Sequence, residues 1–314
     1  MIPARESAAT LPTAVASALA QDPKPDEVVV AVGPSQDATW SVAQRLASRD
    51  PDRVRVVDNP AGRTPDALNA AIAASTGQVI ARLDAHAELP PGYLATAVAT
   101  LARTHAGNVG GMQAPHADDG FARCVAAAMR SPAGTGGASY RSGRRDGPVD
   151  TVYLGVFRRE ALEAVGGFDP AFVRNQDAEL NLRLARAGYA VWLEPELVVA
   201  YRPRGSLRAL ARQYHGYGRW RRRTAEIHPG SLQVRQLAAP VLVAGLAGAA
   251  LASLVTRRRW PFGLAAGSYL GAVGIAGAQA AERWRDAPGT AAALATMHLA
   301  WGVGFWTGPP RSDT

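Results

Sequence analysis

The segment GQVIARLDAH, residues 77–86, is an apolar run that ends abruptly in Asp84-Ala85-His86. A carboxylate and an imidazole two residues apart at the end of a buried strand can hold a divalent cation. The oxygen is a hard ligand and the imidazole nitrogen suits Mn²⁺ at least as well as Mg²⁺. Open α/β sheets bind their ligands at that edge. A second acidic group, Asn175-Gln176-Asp177 followed by Glu179, comes after Gly166-Gly167-Phe168 and before a helical pattern over 180–187. Read alone, these acids enrich a helical first turn with negative charge, where the dipole favours it.

The elements that must position these residues are legible as periodicity. Helical spacing covers 10–20, 39–48, 64–74, 92–104 and 120–129, and apolar strand runs cover 27–32, 54–57, 79–83 and 108–113. Strands alternating with helices predict an α/β fold with a doubly wound, mostly parallel sheet. The opening Ile2-Pro3-Ala4-Arg5-Glu6 reads as the tail of a first strand and its loop, so that strand is expected to be truncated by a start placed too far downstream. The run SPAGTGGASYRSGRRDG, residues 131–147, has turn chemistry and is expected to gate a substrate.

Composition narrows the function. The 314 residues carry a net charge of +8, yet residues 201–235 hold nine Arg and one Glu, which accounts for all of it. Apolar stretches follow at 237–256, 261–281 and 290–308. A basic block beside about twenty uncharged residues points to a membrane rather than to nucleic acid. The expected organisation is a catalytic domain over 1–203, a basic amphipathic interfacial segment over 204–235, and a membrane region over 236–314 with about three apolar helices. Arg257, Arg258 and Arg259 lie between the first two stretches, so either that pair is re-entrant or the positive-inside rule is broken. The single cysteine, Cys124, and the absence of a signal-peptide pattern place the catalytic part on a reducing, cytoplasmic face of the cell membrane.

The order of IPARE, VVVAVGPSQDAT (28–39), GRTPDALNAAIAASTGQVIARLDAH (62–86) and LGVFRREALEAVGGFDPAFVRNQDAELNLRLARAGY (154–189) resembles the family 2 glycosyltransferases of the GT-A fold. The likeness is strongest to the membrane-attached exopolysaccharide branch typified by succinoglycan biosynthesis. It implies an inverting hexosyltransferase that moves sugar from a nucleotide-sugar donor to a hydroxyl of a lipid-linked or growing glycan acceptor, with Mn²⁺ or Mg²⁺ opposing charge on the leaving diphosphate. By the same resemblance Asp84 and His86 serve the metal, Asp177 is the general base, and Glu179 is a second acidic candidate. Pro3, Glu6, Asp37, Thr39, Arg63 and Asn69, together with Asp84, match the donor site. Gln213 and Arg219-Trp220 loosely match a synthase motif facing the acceptor or lipid. The chain departs from the family twice: Asp-Ala-His replaces Asp-x-Asp, and Ala31-Val32-Gly33 stands where the second strand usually ends in an Asp. The second departure keeps a catalytically impaired, glycan-binding relative as the competing reading. A nucleotidyltransferase would show a Gly-rich basic phosphate loop near the first strand, and this sequence has none there.

Overall fold

The computed structural model describes residues 1–136 and 145–308, so most of the run expected to gate a substrate lies outside the described residues. In chain order the elements are β1 Ile2–Ala4, α1 Leu11–Leu19, β2 Val28–Val32, α2 Thr39–Arg49, β3 Val54–Asp58, α3 Thr64–Ala74, β4 Val79–Ala81, α4 Tyr93–Thr104 and β5 Asn108–Pro115. They continue as α5 Gly120–Arg130, α6 Pro132–Thr135, β6 Gly147–Pro148, β7 Tyr153–Arg158, α7 Arg159–Ala164, α8 Gln176–Arg186 and β8 Val191–Tyr201. Four long helices follow: α9 Leu207–Ile227, α10 Val234–Thr256, α11 Trp260–Ala280 and α12 Ala287–Thr307. Two compact units result, Met1–Ala114 with Gly143–Ala200 and Pro115–Ser142 with Tyr201–Thr314.

In the first unit β1, β2 and β3 pair in parallel, with Ile2 opposite Val30 and Val28 opposite Val54. Parallel neighbours need crossovers, which α1 and α2 supply. β2, the Val-Val-Val-Ala-Val run, is buried along its whole length, as a strand covered on both faces must be. A second ladder has the order β4-β7-β5-β8-β6, with β7 antiparallel to both β4 and β5. β4 stops two residues short of the expected 79–83. Its extended hydrogen bonding nevertheless continues: the Arg82 N–H donates to the Gly155 carbonyl at 2.9 Å and the Leu83 N–H to the Met1 carbonyl at 3.0 Å. Arg82 and Leu83 therefore bridge β1 and β7, and the chain turns at Asp84, whose carbonyl accepts from the Ala87 N–H at 2.9 Å.

The second unit is helical. Its core joins Val125, Ala128 and Met129 of α5, Leu210 and Tyr214 of α9, Val273 of α11, and Ala293, Leu294 and Met297 of α12. α9 and α12 touch backbone to backbone: a Cβ on Gly218 would lie 2.0 Å from the Trp301 carbonyl oxygen, and one on Gly304 would lie 2.1 Å from that of His215. The three apolar stretches all form helices, but two of them, α10 and α11, are long and apolar enough to cross a membrane, with mean hydropathies of 2.1 and 1.2. The third of the expected spans, α12, falls outside that measure. α12 buries Thr290, Ala293, Leu294, Met297 and Phe305 and serves as a core helix of this unit.

Candidate active site

Arg82 is the centre of the site. Its side chain is 7% exposed, and it reaches two carboxylates. Nε and Nη2 donate to Asp84 Oδ1 at 2.9 and 2.8 Å, while Nη1 donates to Asp177 Oδ1, 95 residues along the chain. A buried guanidinium is stable only when paired, and here two carboxylates share it. Burial alone would lower the Arg82 pKa, but Asp177 and Asp84 more than reverse that, so the side chain stays charged. Burial of the Asp177 carboxyl pushes it above the ordinary aspartate range. The nearby Asp84 carboxylate pushes the same way, against the pull of Arg82. The Asp177 side chain keeps 41% of its exposure, which places it at a crowded rim open to solvent.

Asp177 stands in the first turn of α8, after Asn175 in a left-handed conformation. The rest of α8 is anchored by internal polar contacts. Asn181 accepts from Asn108 Nδ2 at 2.8 Å and donates to Thr151 at 3.1 Å. Glu179, the second acidic candidate, is 1% exposed and takes both ends of a fork from Arg183 at 2.7 Å, and Arg183 also donates to the Val165 carbonyl. Glu179 is therefore held inside against Arg183, while Asp177 stands at the rim. Gly166 and Gly167 both take positive φ in the preceding turn, which suits glycine.

The residues expected around the donor fall into four groups. Glu6 and Asp37 tie the loop after β1 to the loop after β2. Glu6 accepts from the Gln36 N–H at 2.7 Å, and Asp37 accepts from the Ala8 and Thr39 N–H groups at 2.9 Å each. The Thr39 hydroxyl also donates to Asp37, and this bond leads the effects that hold the Asp37 carboxyl below its usual range. Pro3 lies in β1 itself, paired with Ala31. Arg63 forms a two-pronged pair with Asp66 at 2.8 and 3.0 Å in the first turn of α3 and stays 45% exposed. Asn69 clamps a turn: its amide donates to the Phe168 carbonyl at 2.7 Å and accepts from the Phe168 N–H at 2.9 Å. Both polar ends of Asn69 hold the turn that leads to Asp177.

His86 is exposed on the turn after Asp84. Among the described residues no group of three or more His, Cys, Asp or Glu stands close enough to hold a metal alone. Gln213, Arg219 and Trp220 belong to the second unit. Gln213 is buried and donates to the Tyr201 and Tyr217 hydroxyls at 2.9 and 3.0 Å, and Arg219 donates to the Gly308 carbonyl at 3.1 Å. Gln213 and Arg219 thus make polar contacts within that unit.

Two residues escaped the reading of the sequence. Arg82 was signalled by a cation inside an apolar strand. Asp58 ends β3 exposed, and its register partner is Val32, at the position where the second strand lacks its acid.

The model for glycosyl transferase family 2 matches residues 1–166. The chain belongs to that family. A curated relative, the succinoglycan biosynthesis protein ExoA of Rhizobium meliloti, is 36% identical over 287 residues, covering 89% of this chain and 84% of its own. A glucuronosyltransferase of Methanococcus voltae, named for a dolichyl N-acetylglucosaminyl phosphate, is 25% identical over 199 residues, covering 61% and 62%. Among solved structures, a Pyrobaculum calidifontis mannosyltransferase in complex with GDP-Man and Mn²⁺ superposes with a TM-score of 0.63 over 96% of this chain and 85% of its own, at 23% identity. The family 2 glycosyltransferase therefore has the GT-A-like α/β fold expected of it.

Proposed function

We propose that this family 2 glycosyltransferase moves a sugar from a nucleotide-sugar donor to a hydroxyl of a lipid-linked or growing glycan, with inversion, on the cytoplasmic face of the membrane. The observation that carries this reading is the Arg82 bridge, which holds Asp84 and Asp177 at one guanidinium although they lie far apart in sequence. The names of the two curated relatives support a glycan or lipid-linked acceptor.

The donor set fits a divalent cation shared with a diphosphate. Asp84 gives Oδ1 to Arg82 and has Oδ2 for a cation, His86 offers an exposed imidazole, and two protein ligands leave the remaining positions to phosphate oxygens. When bound, the cation would oppose the charge that builds on the departing diphosphate. The protein's own part is positional. Asp177, open at the rim, takes the proton of the acceptor hydroxyl as that oxygen attacks the anomeric carbon from the face opposite the leaving group. One base and one direct displacement invert the configuration. A carboxyl raised above its usual range is the stronger base, nearer to working pH. Arg82 keeps the two acids from repelling one another, and Asp58 supplies the carboxylate that β2 lacks for the nucleoside.

The test uses membranes carrying the full chain, a panel of sugar nucleotides with Mn²⁺, and nucleotide release as the readout. Asp177→Asn should lower kcat by roughly 10²- to 10⁴-fold, the usual worth of a positioned base. Equal activity of the variant would remove Asp177 from the mechanism, and failure of every donor would overturn the enzyme reading.

A further inference from the structure

α10 and α11 form a hairpin held at one end and free at the other. α12 crosses the held end: a Cβ on Gly302 would lie 2.4 Å from the Ala239 carbonyl oxygen, and one on Gly277 would lie 2.7 Å from Ala291. The Trp306 indole N–H donates to the Pro240 carbonyl at 2.9 Å at the same level. At the far end the Phe262 N–H donates to Ser253 Oγ at 2.9 Å, closing the hairpin around exposed Arg257, Arg258 and Arg259. Between these levels Val241, Leu251, Leu254, Leu264 and Leu270 are all exposed.

We infer that α10 and α11 cross the bilayer and return, carrying Arg257–Arg259 to the far headgroups, while α9 and α12 lie at the near surface. This rests on the membrane reading above and adds a topology to it. Four observations support it. A helix apolar all round needs a low-dielectric surround on every side, which a helix lying flat in the interface would not have. From Pro240 to Thr256 the rise is about 24 Å, and long guanidinium stems extending outward cover the rest of a hydrocarbon core of about 30 Å. Trp306 lies at the held end on the Pro240 carbonyl, and exposed Trp260 and Phe262 lie at the free end, as aromatic belts do at the two interfaces. The cationic bias also has the right sign: nine Arg lie in 201–235 against three at the turn, which keeps the held end cytoplasmic. α12 does not make a third span, because it packs backbone to backbone along α9, which carries six Arg between 208 and 223.

The chain has one cysteine, Cys124, and it is buried, so the unsubstituted protein serves as the blank for cysteine labelling. Arg258→Cys, and separately Thr256→Cys, at the turn should react with a membrane-impermeant maleimide in intact spheroplasts, at least tenfold above the blank. Arg212→Cys on α9 should react only after lysis. If both turn variants need lysis while the protein resists carbonate extraction, the chain is membrane-bound but the hairpin does not cross, and the inference falls while the membrane reading stands. If the protein stays soluble without detergent as an oligomer, a second copy covers the hairpin, and both readings fall.

Discussion

A shared guanidinium makes Arg82, Asp84 and Asp177 a three-body unit, and its consequences are electrostatic. Asp177 acts as a base when deprotonated, and burial with Asp84 nearby raises its pKa, so activity should fall as pH drops through a value above the ordinary aspartate range. The acid limb of a kcat profile checks this; a limb at or below that range would show that Arg82 dominates. Asp58 makes a separable contribution. If it replaces the missing acid of β2, Asp58→Asn should raise the donor KM by roughly tenfold or more, the worth of one charge-assisted hydrogen bond, and leave kcat nearly unchanged. Initial rates at saturating and limiting donor separate the two parameters. The sequence marks Arg82 only as a cation in an apolar run, which says nothing of its partners. One of its two acids is 95 residues away, and only the fold brings it near.

At the scale of elements, the loop before α8 is held by a clamp remote in sequence. Asn69 satisfies both the N–H and the carbonyl of Phe168, so Asn69→Ala leaves two backbone groups without their partner and should cost about 1–3 kcal/mol. Thermal unfolding reads that loss directly. A drop in kcat larger than any change in donor KM would show that the clamp serves Asp177 through its loop. The parallel part of the sheet was open to periodicity, since β2 is a continuous apolar run and α2 and α3 begin and end within a residue of expectation. β7, the antiparallel return between β4 and β5, and β8 were not, because neither carries a signature beyond that of any buried strand. The clamp made by Asn69 was not legible either, because an amide that donates and accepts at once does not name its partner. α12 shows a further limit. Read along the sequence it resembles the two helices before it, yet it falls short of their length-and-apolarity measure and has an arginine-rich helix packed along it.

At the scale of the molecule, the helical unit is assembled from two separated stretches of chain, Pro115–Ser142 and Tyr201–Thr314. A chain cut after Ala200 would keep α5 and lose α9 and α12, uncovering Val125, Ala128 and Met129. Each large apolar side chain so exposed forfeits about 1.5–3 kcal/mol, and the fragment should self-associate. Analytical ultracentrifugation of the fragment checks this, and a stable monomer would show that α5 finds another cover. The same discontinuity acts during synthesis. Arg123 of α5 closes on Asp286 at 2.8 Å, next to a helix that the ribosome delivers much later. Between Arg130 and Ala287 run about 150 residues, roughly 8 to 30 s of translation, during which the inner face of α5 waits without its final partner. The rate of elongation therefore sets how long that inner face stays uncovered before its partner helix exists.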